Sequence, residues 1–168
     1  IRIDSPDPFK QVGEILTKGM NVMDGYYNNP KASNTVLSPD GWLHTGDLGV
    51  LDPDGYLYIK GRSKSLILGP SGQNIYPEEI EDLLNAQPYI AESLVIEREG
   101  KLVALVYPDA EAMKQNKISR EALLKIIHET RKQINQQIPA YSQIARIEIH
   151  DEEFEKTPKR SIKRFLYQ

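Results

Sequence analysis

The chain changes character at one place, residues 61–65, and that break constrains its fold more than any other feature. Before it, turns dominate: Ser5-Pro6-Asp7-Pro8, Asn28-Asn29-Pro30, Ser38-Pro39-Asp40-Gly41 and Asp52-Pro53-Asp54-Gly55. Gly and Pro supply special backbone angles there, and Asp and Asn bond their own backbone. Short strands are expected between them at 13–17, 49–51 and 56–60, the last two forming a hairpin around Asp52-Pro53-Asp54-Gly55. No helix is expected in this stretch, so it is too small to bury a core of its own.

After the break, strand and helix patterns alternate. Residues 65–68 read as a short apolar strand. Pro77 opens a helix to about Ala86, with Glu78, Glu79 and Glu81 at its start, where the helix dipole favours negative charge. Ile80, Leu83 and Leu84 form its buried stripe, and Pro88 is its stop. Residues 93–97 and 102–107 read as alternating strands of a second hairpin about Glu99-Gly100. Ser119 caps a long helix to Ile138, with Leu123, Ile127, Ile134 and Ile138 on one face. Residues 146–150 form another strand, and 161–167 a last short helix. The expected fold class is α+β: a small domain with helices packed on one face of a small β-sheet, preceded by a β-rich piece. The expected domains are 1–61 and 62–168.

Charge separates the two parts. Residues 1–60 hold five basic and eight acidic side chains, whereas 61–168 hold sixteen of each. A neutral second domain argues against a nucleic-acid partner. Within it, residues 155–168 hold five cations and one acid. Such a tail can face an anion, or it can be a solvated helix end. The absence of cysteine excludes a disulfide scaffold and a cysteine nucleophile. His44, His128 and His150 lack ligand spacing, so no metal site is assigned. Gly69-Pro70-Ser71-Gly72 fits neither common phosphate-binding glycine spacing. No apolar run approaches membrane length and no basic, apolar leader opens the chain, so a cytoplasmic location is expected. A peripheral membrane contact is not readable from these residues. The chain opens on Ile1 and reaches a strand almost at once, which suggests a piece of something longer.

Three stretches then follow in order: Gly41-Trp42-Leu43-His44-Thr45-Gly46-Asp47, Gly61-Arg62-Ser63-Lys64-Ser65, and Ser71-Gly72-Gln73-Asn74-Ile75-Tyr76-Pro77-Glu78-Glu79-Ile80-Glu81. Gly13-Glu14-Ile15 and Val22-Met23-Asp24-Gly25-Tyr26-Tyr27-Asn28-Asn29-Pro30 precede them. Together they resemble the AMP-forming acyl-CoA synthetases of the adenylate-forming superfamily, and residues 74–81 are similar in wording to the long-chain fatty acid–CoA ligase branch. The resemblance implies two half-reactions, a carboxylate plus ATP giving acyl-adenylate, then CoA giving a thioester and AMP. It implies ATP, Mg2+ and CoA, with a fatty acid as co-substrate, and a large N-terminal domain as the partner. The phosphate and Mg2+ sites would lie mostly outside this chain, leaving it inactive alone. Residues 1–61 would then end the large domain, and 62–168 would be a small mobile domain that takes one pose per half-reaction.

Site residues follow from the same resemblance. Asp47 would accept both ribose hydroxyls, although an Asp there can also satisfy its own turn. Arg62 would contact ribose or phosphate, the plainer alternative being a surface ion pair. Thr45 and Gly46 would shape the loop, with His44 and Trp42 at its rim. Lys64 occupies the hinge position, where an ordinary linker lysine would also fit. Gly72 would let backbone approach the thiol channel, or it serves as a turn glycine. Residues 156–164 resemble the family's closing motif, Lys-Thr-x-x-Gly-Lys-Ile-x-Arg, but its glycine falls on Arg160 and its catalytic lysine on Ser161. A serine cannot supply that lysine's charge. Lys163 is the candidate replacement, because a flexible stem can offset two residues; Lys159 and Arg160 stand nearby, and a basic helix with no catalytic part is the alternative. Two rivals stay open: a degenerate binding module, and an amino- or aryl-acid adenylating enzyme that loads a carrier protein.

Overall fold

A computed structural model describes residues 1–168 and divides them into two compact units, Ile1–Lys64 and Ser65–Gln168. The first unit is a four-stranded antiparallel sheet in the order β1 (Arg2–Asp4), β2 (Gly13–Thr17), β3 (Leu43–Leu51) and β4 (Leu57–Arg62). Strands β3 and β4 are the hairpin expected around Asp52-Pro53-Asp54-Gly55, and the Asp52 carboxylate accepts the N–H groups of Asp54 at 3.0 Å and Tyr56 at 2.8 Å. One expectation fails here. A helix does form, α1 (Pro30–Val36), because Asn29 caps it by accepting the Ala32 N–H at 3.1 Å and Pro30 sits in its first turn. None of its side chains is buried, so it adds no core. Ile3, Ile15 and Leu16 are the buried apolar residues of this unit.

The second unit opens with a small hairpin, β5 (Ile67–Leu68) and β6 (Asn74–Ile75), and helix α2 (Pro77–Asn85). A three-stranded sheet follows: β7 (Ile90–Arg98), β8 (Lys101–Pro108) and β9 (Ile144–Ile149). Strand β7 pairs antiparallel with the central β8, which pairs parallel with β9. A parallel return needs a long crossover, and helices α3 (Ala110–Gln115) and α4 (Arg120–Gln137) supply it. Ser119 caps α4 as expected, accepting the Ala122 N–H at 3.2 Å, and Leu123, Ile127, Thr130 and Ile134 face inward. Asn135 of α4 exchanges two bonds with Ile144, at 2.8 and 3.0 Å, and Arg131 donates to the Ala145 carbonyl at 2.7 Å, which fixes the start of β9.

The helices pack on one face of the sheet, as expected, and an irregular strap covers the other. Every residue from Leu102 to Val106 on β8 is buried. Such a run leaves no solvent face, unlike a true alternation. Val95, Leu102, Ala104 and Val106 pack beneath α2 and α4 with Leu84, Leu123, Ile127 and Ile134. Leu94, Ile96, Val103 and Leu105 point the other way, where Phe154, Ile162 and Tyr167 cover them. His150 stacks on Phe154 at 4.9 Å, and Tyr167 meets Phe154 edge-on at 5.3 Å. Residues 161–167 therefore do not form the expected α-helix. They run as an irregular strap with one 3-10 turn at Arg164–Leu166, and Ile162 and Tyr167 pack on the sheet face from either end of it.

Glu81 also departs from expectation. It is no surface decoration of the helix start but faces the sheet at 8% exposure. Replacing Phe154 with Ala removes the largest buried side chain on the strap-covered face; the variant is expected to lose about 3–5 kcal/mol of stability, read as a lower urea midpoint.

Candidate functional site

Asp47 and Arg62 are brought together by the register of β3 and β4, where they stand directly opposite each other. Arg62 Nη1 donates to Asp47 Oδ1 at 2.6 Å, with the side chains 57% and 35% exposed. A carboxylate acceptor and a guanidinium donor thus lie side by side and open to solvent.

The arch that presents Asp47 is built from below. Between the pairs Leu16 with His44 and Glu14 with Leu48, three residues of β3 (Thr45, Gly46, Asp47) stand opposite the single Ile15 of β2. Such a bulge re-aims side chains and is tolerated where backbone bonds are replaced by others. Here Thr45 Oγ1 donates to the Ile15 carbonyl at 2.7 Å and accepts the Asp47 N–H at 3.1 Å. Gly46 takes φ +74°, a left-handed conformation suited to glycine. Its N–H is accepted by Glu14 Oε1 at 2.9 Å, while the other Glu14 oxygen lies 2.8 Å from His44 Nδ1. Glu14 is therefore the support of the arch, a role the sequence reading did not give it. The available signal is a lone carboxylate ahead of Ile15 and Leu16 in the short strand Gly13–Thr17. Trp42 carries the Arg2 guanidinium 4.6 Å over its ring.

Lys64 is exposed in a 3-10 turn, Ser63–Ser65, and is the last residue of the first unit. Gly72 closes the turn of the β5–β6 hairpin, donating to the Gly69 carbonyl at 2.9 Å with φ +79°. A Cβ there would meet nothing within 4 Å in this chain, so the turn itself is what asks for glycine. A cleft of about 520 Å³ lies beside this hairpin, walled by Leu68, Gln73, Lys101, Leu102 and Tyr141. It contains neither Asp47 nor Arg62.

The basic tail is largely self-neutralised. Lys163 is 33% exposed and lies 3.1 Å from Glu155 Oε2. Lys156 Nζ sits 2.6 Å from both Glu153 and Glu92, whose hydrogen bonds hold its ammonium above the usual lysine pKa. Arg164 is half-buried, paired with Glu81, and lies 3.5 Å from Glu78. Burial pushes the Glu81 carboxyl above its ordinary value, partly offset by Arg164. Lys159 and Arg160 remain exposed at the tip of the turn. No group of three or more His, Asp or Glu side chains could hold a metal ion.

The tip keeps a backbone shape that its residues do not favour. Arg160 takes φ +63° and donates to the Thr157 carbonyl at 2.8 Å, and the Thr157 N–H donates to the Ser161 carbonyl at 2.8 Å. This is the position of the resembling motif's glycine. Left-handed backbone costs a side-chain-bearing residue about 1–2 kcal/mol, part of which glycine returns as unfolded-state entropy. Arg160→Gly is expected to gain about 0.5–1 kcal/mol in a denaturant titration.

The chain is similar to known proteins. Residues 64–167 match the model of the AMP-binding enzyme C-terminal domain. An indoleacetate–CoA ligase of Aromatoleum aromaticum is 50% identical over 98 residues, covering 56% of this chain and 19% of the ligase. A 2-succinylbenzoate–CoA ligase of Bacillus cereus is 41% identical over 122 residues, 73% of this chain and 24% of the ligase. A crystal structure of O-succinylbenzoate–CoA synthetase from Bacillus subtilis in complex with AMP superposes with a TM-score of 0.71 at 29% identity, over 95% of this chain and 31% of that one. The chain thus spans about a quarter or less of the length of these curated ligases. With its α+β second unit matched nearly end to end, the chain belongs to the AMP-binding enzyme C-terminal domain family of the adenylate-forming superfamily.

Proposed function

We propose that the chain is the C-terminal portion of an ATP-dependent acid–CoA ligase. In the first half-reaction a substrate carboxylate oxygen attacks the α-phosphorus of ATP and pyrophosphate leaves. In the second the CoA thiol attacks the acyl carbonyl and AMP leaves. The observation that carries this reading is the Asp47–Arg62 pair, held side by side at the end of a supported arch. A ribose diol donates to a carboxylate and accepts from a guanidinium, so one nucleoside edge can engage both. The ligase names of the relatives support the thioester product.

In this proposal Lys64 is the pivot between poses, and Gly72 lies on the loop that meets the thiol arm. The cation for adenylation comes from the tail turn. Lys163 must leave Glu155 to serve, whereas Lys159 and Arg160 are exposed at the tip. ATP with Mg2+ and CoA act on the whole protein; no step through the metal is assigned to these residues. A cytoplasmic location is proposed with them. No helix is long and apolar enough to cross a membrane.

The acid is the finer question. Residues 74–81 favour a long-chain fatty acid, whereas the relatives carry the names of indoleacetate, sulfoacetate and 2-succinylbenzoate ligases. A panel of long-chain, aryl and short acids, with CoA-dependent AMP release by the full-length protein as readout, assigns it; no release with any acid overturns the ligase reading. Ser161 favours one second reading, a relative that binds nucleotide without adenylating, and adenylate formation at ordinary turnover removes it.

Two substitutions test the site. Asp47→Ala is expected to weaken AMP binding about 10- to 100-fold, and Arg62→Ala about 10-fold, as loss of charge-assisted hydrogen bonds. Calorimetry on the full-length protein checks both, and unchanged affinity in both overturns the assignment.

A further inference from the structure

The exposed turn at Pro158–Arg160 is anchored with unusual care for a surface loop. Its flanks pair as a narrow hairpin: Lys156 bridges to Ile162, and the Lys163 N–H donates to the Glu155 carbonyl at 2.8 Å. One flank is tied by Tyr167, whose hydroxyl accepts the Glu155 N–H at 2.8 Å, and by Lys156 between Glu92 and Glu153. The other flank ends in Arg164, which is 20% exposed. Its Nη1 donates to the Val95 carbonyl at 3.2 Å and its Nη2 to Glu81 Oε2. The second Glu81 oxygen accepts the Val95 N–H at 2.6 Å. One carboxylate on α2 thereby holds both a sheet strand and the strap.

A buried ion pair seldom stabilises more than well-packed apolar residues would. What it adds is direction: a guanidinium fork bonds only in its own plane, so it fixes register where apolar contacts allow sliding. We propose that Glu81 and Arg164 are positioning residues that lock the strap on the sheet and so set where Lys159 and Arg160 are presented. Neither touches substrate; both act through the turn. The proposal rests on the reading that this turn serves adenylate formation.

The test uses the full-length protein and the variants Arg164→Lys and Glu81→Gln, which keep size and lose the bonded fork or the charge. Amide exchange at Thr157, Arg160 and Lys163 is expected to quicken at least about ten-fold, with α4 amides within about two-fold of wild type. Adenylate formation is expected to slow about ten- to a hundred-fold, while thioester formation from supplied acyl-adenylate stays within about three-fold. Unchanged exchange at the turn overturns the proposal. So does equal acceleration in α4, or an equal fall in both half-reactions, since either makes the pair a general support of the fold. Where those variants do not fold, the paired variant Glu81→Gln with Arg164→Met removes both charges together and leaves neither uncompensated; it is expected to quicken exchange at Lys163 about three-fold, and no change there overturns the clamp. A wild-type protein that forms no adenylate defeats the functional reading alone, and exchange still decides the clamp.

Discussion

A strand buried on both faces sets the terms for everything in the second unit. From Leu102 to Val106 each side chain of β8 is out of water, although neighbours point to opposite sides. A sheet built round such a strand needs two covers. Helices α2 and α4 provide one, and the strap through Phe154, Ile162 and Tyr167 provides the other. The strap carries the basic turn, so the hydrophobic demand of β8 is what seats the most basic segment of the chain.

Electrostatics refine that arrangement. Three carboxylates, Glu78, Glu81 and Glu92, receive Arg164 and Lys156 where the strap crosses α2 and β7. Removing one member of such a pair leaves an uncompensated charge, at a cost of about 3–5 kcal/mol where the pair is buried. Charge that reads as a net-positive tail is spent internally, except at the tip. In the first unit a different carboxylate, Glu14, does comparable work for the arch before Asp47. In both units an acidic side chain on a regular element holds an irregular segment in shape.

Much of this was legible in the residues. Pro77, Ser119 and the Glu99-Gly100 turn place α2, α4 and the β7–β8 hairpin because each acts locally, on residues within one turn of it. Asp47 and Arg62 were named from motif resemblance, and the β3–β4 register brings them into contact. What escaped depends on tertiary partners. The run Leu102-Val103-Ala104-Leu105-Val106 does not alternate as a half-exposed strand does; its lack of polar residues signals two buried faces. Residues 161–167 carry a helix-like local pattern, which holds no trace of the bare sheet face that competes for them. Glu81 looked like helix-dipole decoration, since nothing nearby in sequence announces Arg164. The short helices α1 and α3 leave little trace in the sequence because each is set by a single Asx cap, at Asn29 and Asp109.

The order of elements along the chain has a consequence for biosynthesis. Strands β7 and β8 emerge from the ribosome well before residues 154–167. Until the strap arrives, Leu94, Ile96, Val103 and Leu105 face solvent as a nascent sticky patch. Translation stalled or truncated ahead of Phe154 would leave a half-dressed sheet, the kind of surface that chaperones recognise and that aggregates when they do not.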